Sequence, residues 1–168
     1  MIYQTIRQLA KELGNLDRCL DKGLAHAEAL KFDPTVLLNA RLAPDQYPLV
    51  RQIQAACDSA KFAAARLSGR QPPVHPDTES TLPEIKARLA AVQDYLGSFS
   101  AADFEGGAER TIGINWMPGK GLLGAAYLNE LSVPNFYFHL ATAYSILRHN
   151  GVPVGKVDFI GSLPFFDI

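Results

Sequence analysis

The sequence predicts an all-α protein, a four-helix bundle with a short β-strand or hairpin between helices 3 and 4. In four segments the apolar residues recur at steps of three and four, the period of an amphipathic helix. Connectors containing proline or glycine separate these segments. Because each helix has one apolar face to bury, four of them favour a common bundle. We expect residues 1–168 to form a single domain.

The first two helices are predicted from their apolar faces. The first face consists of Ile6, Leu9, Leu13, Leu16, Leu20, Leu24 and Ala27. The second helix is expected to begin near Asp45, a residue suited to the N-cap, and to stop at Gly69. Its apolar face consists of Leu49, Ile53, Ala56, Ala60, Ala63 and Leu67.

The third and fourth helices flank a segment of different composition. Thr81 and Glu84 have the spacing of a capping box, so the third helix is expected to begin there. The run AERTIGINWM, residues 108–117, ends in a Pro-Gly turn and predicts a short strand or hairpin. In the fourth helix, Pro134 lies either near the first turn or at a kink in a longer helix that starts near Ala125.

Composition and charge exclude several classes of protein. The net charge is −1 and the basic residues are scattered, which argues against a nucleic-acid partner. There is no apolar run of about 18 residues, so we expect no membrane span. The N-terminus has no secretory signal, and a cytoplasmic location is the expectation. Cys19 and Cys57 have no metal-ligand spacing and are expected to be buried thiols.

The stretch MPGKGLLG superficially resembles a phosphate-binding loop. That loop requires a Ser or Thr after its lysine, whereas Lys120 is followed by Gly121. The stretch is therefore interpreted as a turn.

His139 and His149 lie on one predicted helix but do not form a joint site. Ten residues rotate the chain by about 1000° and advance it by about 15 Å, which sends the two imidazoles apart. A single metal ion needs ligands about 2 Å away. His149 suits a helix C-terminus, where a cation meets the negative end of the dipole. His139 is either a hydrogen-bonded core residue or part of a site.

The predicted second helix supplies possible partners for His139. Gln54, Asp58 and Lys61 form a polar stripe beside the apolar face. The stripe is either a solvated edge with an internal Asp58–Lys61 pair or a polar pocket facing His139 across the bundle. His26 and His75 are expected to be exposed, and no role is assigned to them.

The stretches RLAPDQYPLVRQIQAACDSAK and VPNFYFHLATAYSILRHNGVPVGKVDFIG resemble an uncharacterised domain-of-unknown-function family of bacteria and fungi. That family is similar to the DinB/YfiT-like metalloenzyme superfamily. The resemblance covers nearly the whole chain, and FHLATAYSILRHNG is its most specific part. It implies a four-helix bundle that is often dimeric.

In that superfamily three histidines hold a divalent metal, one from the second helix and two from the last. Some members are thiol-dependent transferases. His139 suits one position on the last helix, but Asn135, Thr142 and Ala143 stand about a turn away and the second helix has no histidine. We therefore carry over no metal site or cofactor; if a divalent metal binds, His139 is its candidate ligand.

These observations favour a small-molecule-binding module with a degenerate metal site. Its candidate pocket consists of His139, Gln54 and Asp58, with Tyr144 as a weaker neighbour. One alternative is a metal- or thiol-dependent transferase that uses His139 as a ligand or general base. Another is a structural homodimer without a ligand, in which the apolar C-terminus LPFFDI docks on the bundle or fills a subunit interface.

Overall fold

The chain folds around four long helices, which confirms the predicted all-α architecture. The computed structural model describes residues 1–167. The long helices are α1 (Ile2–Leu30), α3 (Leu49–Ser68), α4 (Leu82–Gly97) and α6 (Val133–His149). The short helices are α2 (Thr35–Asn39), α5 (Gly124–Ala126) and α7 (Lys156–Ile160). A 3₁₀ turn spans Ala101–Phe104, and a π-helical segment spans Tyr127–Ser132.

The long helices share one apolar core. α3 packs against both α4 and α6, and α1 packs against the same two helices. The predicted faces are buried, apart from the half-buried Leu24: Ile6, Leu9 and Leu13 of α1 and Ile53 and Ala60 of α3 are fully shielded from solvent. This burial of one apolar stripe from each helix is what holds the bundle together.

The prediction for the start of the second helix was wrong by about four residues. Asp45 lies in a turn, and α3 begins at Leu49 with Pro48 at its N-cap. Proline disfavours the helical conformation of the residue before it, so Tyr47 stays outside the helix. The predicted stop is confirmed, because Gly69 ends α3 with a φ of 80°, in the left-handed region.

The capping box at the start of α4 is confirmed. The Thr81 hydroxyl accepts from the Glu84 amide, and the Glu84 carboxylate accepts from the Thr81 amide at 2.9 Å. These bonds satisfy donors that the first turn of a helix leaves free.

The predicted hairpin lies against the C-terminal end of α3. Its strands are β1 (Thr111–Gly113) and β2 (Gly121–Leu123), which pair antiparallel. At its base, a Cβ on Gly124 would collide with the carbonyl oxygen of Gly107, and a Cβ on Gly107 would lie 2.7 Å from the carbonyl oxygen of Leu67. Glycine at both positions lets three backbone segments meet here.

The last helix is longer than α6 alone. Helical backbone runs from Gly124 through the π segment to His149, so the longer of the two predicted alternatives holds. Pro134 lacks an amide hydrogen, and in a regular α-helix its ring would clash with the carbonyl of Glu130. The backbone widens into the π form directly before this proline, at Tyr127–Ser132.

The chain ends on the surface. The rings of Phe165 and Phe166 are 88% and 82% exposed, so these two do not dock on the bundle, and Ile168 lies outside the described residues. Both cysteines are buried, as expected. Within residues 1–167, no helix combines the length and apolarity needed to cross a membrane.

Candidate functional site

A cleft of about 430 Å³ opens between α3 and the last helix. One face of α3 forms its floor, the π segment and the start of α6 form one wall, and the hairpin turn closes one end. Its lining residues are Tyr47, Arg51, Ala55, Asp58, Ser59, Phe62, Arg66, Trp116, Tyr127, Leu131, Ser132 and Asn135.

Two of the three charged side chains in the cleft are paired with opposite charges. Arg51 lies 2.8 Å from Asp77, and Asp58 lies within 2.8 Å of both Lys61 and Arg88.

Arg66 is the third charged side chain, and aromatic groups hold it. Its guanidinium lies 5.3 Å from the ring centre of Phe62 and 5.5 Å from that of Tyr127, and it donates a hydrogen bond to the Tyr127 hydroxyl at 3.1 Å. Within residues 1–167 no carboxylate lies within ion-pair distance of Arg66. Its positive charge therefore remains available to a ligand.

A chain of hydrogen bonds crosses the cleft beside Arg66. The Asn135 amide donates to the Ser59 hydroxyl at 2.6 Å, and Ser59 donates to the carbonyl of Ala55 at 2.8 Å. Asn135 thus uses an amide hydrogen to bind Ser59, and its amide oxygen can still accept a hydrogen bond.

His139 is held by a second chain of hydrogen bonds between the same two helices. Its Nδ1 lies 2.7 Å from Oε1 of Gln52, whose Nε2 donates to the carbonyl of Tyr47 at 3.0 Å. This orientation of the amide makes Oε1 the acceptor, so Nδ1 of His139 carries the proton and Nε2 carries the lone pair. Burial lowers the pKa of His139 below its ordinary value, which keeps the ring neutral at pH 7.

A charge cluster surrounds the buried side chains of Arg88 and Lys61, and His139 is not part of it. At its centre the guanidinium of Arg88, from α4, donates to Asp58 at 2.8 Å, to Glu79 at 3.2 Å and to Asp77. The cluster contains three cations and three carboxylates: Arg51, Lys61, Arg88, Asp58, Asp77 and Glu79. Through Asp77 and Glu79, the cluster holds the proline-rich connector before α4 against the bundle.

The electrostatics of this cluster keep its carboxylates ionised. Burial opposes the charged form of Asp77, but hydrogen bonds from Arg51 and Arg88 hold its pKa below the ordinary value. Burial likewise opposes ionisation of Glu79, yet hydrogen bonds lower its pKa as well. His75 is half-buried and takes a hydrogen bond from the Lys61 ammonium at 3.2 Å, and its pKa is lowered by burial and by Lys61.

His26 and His75, which were expected to be exposed, are only partly exposed. His75 belongs to the cluster just described, because the connector folds over Lys61. His26 is half-buried as well and packs edge-on against Phe32, with 5.9 Å between ring centres. His149 is exposed and lies in the last turn of α6, the position expected for it.

Comparison with known proteins places the fold in a family. The chain matches the family described as Domain of unknown function (DUF1993) over residues 1–160. The chain belongs to the DUF1993 family. A crystal structure of a DinB family member protein from Shewanella denitrificans is 48% identical, with a TM-score of 0.94 over 97% of this chain and 93% of that chain. No curated protein matches the chain.

In this DUF1993 member the four predicted pocket residues do not lie together. Gln54 binds Glu79 and Asp58 binds Arg88, so both take part in the charge cluster. Their contacts do not include His139, which binds Gln52 instead. Tyr144 lies further along α6, with its ring 5.5 Å from that of Phe159. Of the four predicted residues, Asp58 is the one that also lines the cleft.

The donor set around His139 does not fit the three-histidine metal site that the resemblance would imply. Its hydrogen-bonded neighbour is an amide, and Asn135, one turn away, is engaged with Ser59. In the part of the chain that the structure describes, no group of three or more His, Cys, Asp and Glu side chains is placed to hold a metal ion. The thiols are unsuited to metal binding in their present positions, because burial raises the pKa of Cys57 to about 12 and that of Cys19 to about 11.

The sequence reasoning missed the residues that line the cleft on α3. Arg51, Ser59 and Arg66 lie one step around the helix from the predicted stripe of Gln54, Asp58 and Lys61. The signal was present as a second set of steps of three and four that runs from residue 51 to residue 66. It could not be recognised without knowing that α6 would leave this face partly uncovered.

Replacing Arg88 by methionine should destabilise the protein strongly. The substitution keeps an apolar stem but leaves Asp58, Asp77 and Glu79 without their shared cation. We expect a loss of about 3 kcal/mol in the free energy of unfolding, toward the low end of the range for broken buried pairs because the carboxylates reach solvent. Urea denaturation monitored by circular dichroism measures it.

The matched control for Arg88→Met is Lys86→Met on the same helix. Lys86 pairs with Asp17 and Asp21, but its side chain is 30% exposed. We expect this substitution to cost less than about 1 kcal/mol. Equal losses in the two variants would contradict the special role of Arg88.

Stability should fall as the pH drops below about 6.5, in part because of His139. Its pKa is lowered in the folded state, so below the unfolded value of about 6.5 the unfolded chain binds more protons than the folded one. His139→Asn keeps a donor for Gln52 and removes this titration. The free energy of unfolding, measured between pH 7.5 and 5.5, should decline less steeply in the variant. An identical slope would show that His139 does not contribute.

Proposed function

We propose that this DUF1993 member is a small-molecule-binding module whose ligand occupies the cleft between α3 and the last helix. The observation that carries the proposal is the cleft itself. At about 430 Å³ it has the size of small-molecule sites, and aromatic walls surround a few convergent polar groups.

The backbone around the cleft supports the same proposal. Tyr127, Leu131 and Ser132 all belong to the π segment and all line the cleft. Such segments are rare and occur frequently at functional sites, because they widen the helix and re-aim its side chains. Helical bundles also build their ligand sites between facing helices.

An enzymatic function that uses His139 is the second candidate. Its neutral ring has a fixed tautomer with the lone pair on Nε2, the state required of a general base or a metal ligand. The relative from Shewanella denitrificans is described as a DinB family member. A metal- or thiol-dependent transferase activity is therefore the alternative, with His139 as its acting residue.

A ligand screen separates these candidates. We expect at least one compound from a library of metabolites, thiols and divalent cations to raise the melting temperature of the wild type. Ala55→Phe should abolish that shift, because Ala55 lines the cleft and a phenyl group would fill it. Ala91→Phe, at an exposed position on α4, is the matched control and should retain the shift.

Other outcomes of the screen would favour the enzymatic or the structural alternative. A shift produced by a thiol or metal and lost in His139→Asn but not in Ala55→Phe would favour the enzymatic alternative. No shift with any compound would contradict ligand binding and favour a structural role.

We also propose that the protein forms a homodimer in the cytoplasm. The exposed rings of Phe165 and Phe166 support an apolar contact between subunits, since such side chains are rarely left adjacent in water. Cys19 and Cys57 are both buried and do not pair in a disulfide, which suits a reducing compartment. Light scattering should give twice the monomer mass for the wild type and the monomer mass for the variant with both phenylalanines replaced by serine. A Leu30→Ser control, at another exposed apolar position, should stay dimeric.

A further inference from the structure

We infer that the cleft binds a planar aromatic monocarboxylate and that Arg66 binds its carboxylate group. This specificity rests on the proposed binding function of the cleft.

The charges that line the cleft do not balance. Arg51 is neutralised by Asp77, and Asp58 is neutralised by Lys61 and Arg88. Arg66 lines the same cleft with no carboxylate at ion-pair distance among residues 1–167, so the cleft has one uncompensated positive charge. A ligand with a single negative charge makes this balance neutral.

The side chain of Arg66 is held in one orientation. Phe62 and Tyr127 flank its guanidinium, and the Tyr127 hydroxyl accepts from Nη1. The side chain is thus ordered before a ligand arrives, which lowers the entropic cost of binding. One hydrogen bond uses few of the five N–H groups, and the planar fork of the remaining donors matches the two oxygens of a carboxylate.

The walls of the cleft are largely aromatic. Tyr47, Phe62, Trp116 and Tyr127 supply aromatic surface around the charged group. Tyr47 and Trp116 are 53% and 64% exposed, so each has a large ring area that a ligand would cover. Aromatic pairs gain energy from stacked and edge-on arrangements, which favours a flat ring over a saturated one.

Calorimetric titration with four probes tests the inference. The probes are 2-naphthoate, its neutral analogue 2-naphthamide, 2-naphthyl phosphate and the saturated decahydro-2-naphthoate. We expect the wild type to bind 2-naphthoate at least about tenfold more tightly than each of the others. Quenching of Trp116, the one tryptophan of the chain, should accompany binding.

Substitution of Arg66 provides the second arm. Arg66→Gln should weaken 2-naphthoate binding by about 10- to 100-fold and leave 2-naphthamide binding unchanged, because a charge-assisted pair is lost. Arg66→Lys should recover part of the affinity, since it keeps the charge but not the fork. Arg148→Gln, at an exposed position in the last turn of α6, is the matched control and should bind like the wild type.

Several results would overturn the inference. These are equal binding of the amide, tighter binding of the phosphate, equal binding of the saturated acid, or the same loss in Arg148→Gln. The probe selectivity of the wild type decides the matter even if Arg66→Gln fails to fold. If none of the four probes binds but another compound is held in the cleft, the ligand class is wrong and the binding function stands. If nothing binds, both fail.

Discussion

The buried guanidinium of Arg88 is the interaction on which the rest of this structure depends. It comes from α4, reaches Asp58 on α3 and holds Asp77 and Glu79 of the connector. A lone charge at such depth would be very costly, and three carboxylates around it offset that cost. One side chain thereby joins two helices and a proline-rich segment that has no regular structure of its own.

This arrangement also determines the electrostatics of the cleft, because Arg51 and Asp58 belong to both. Asp58 lines the cleft, yet its charge is directed toward Lys61 and Arg88, and Asp77 neutralises Arg51 in the same way. The cluster therefore removes competing charges from the neighbourhood of Arg66. Stability and specificity are linked here, since the groups that fix the connector are the ones that leave a single cation facing the opening.

The architecture could be predicted from the sequence because it follows from local patterns. The apolar periodicity, the Thr81–Glu84 capping box and the stop at Gly69 each depend on neighbours within a few residues. The site depends on contacts between distant segments. The Gln52–His139 bond spans 87 residues, and the Arg88–Asp58 bond spans 30. No spacing rule reveals that Gln54 turns toward Glu79 of the connector while Gln52, two residues earlier, turns toward α6.

The π segment lets the length of this chain vary by one residue without moving its neighbours. A π turn completes one rotation with about one residue more than an α turn. Deleting one residue between Tyr127 and Ser132 would therefore give a regular α turn, and the helix on either side would keep its rotation. Gly124 would still face Gly107, but Tyr127, Leu131 and Ser132 would point in new directions. A relative that lacks one residue in this segment is therefore expected to keep the hairpin in place and to have a differently lined cleft.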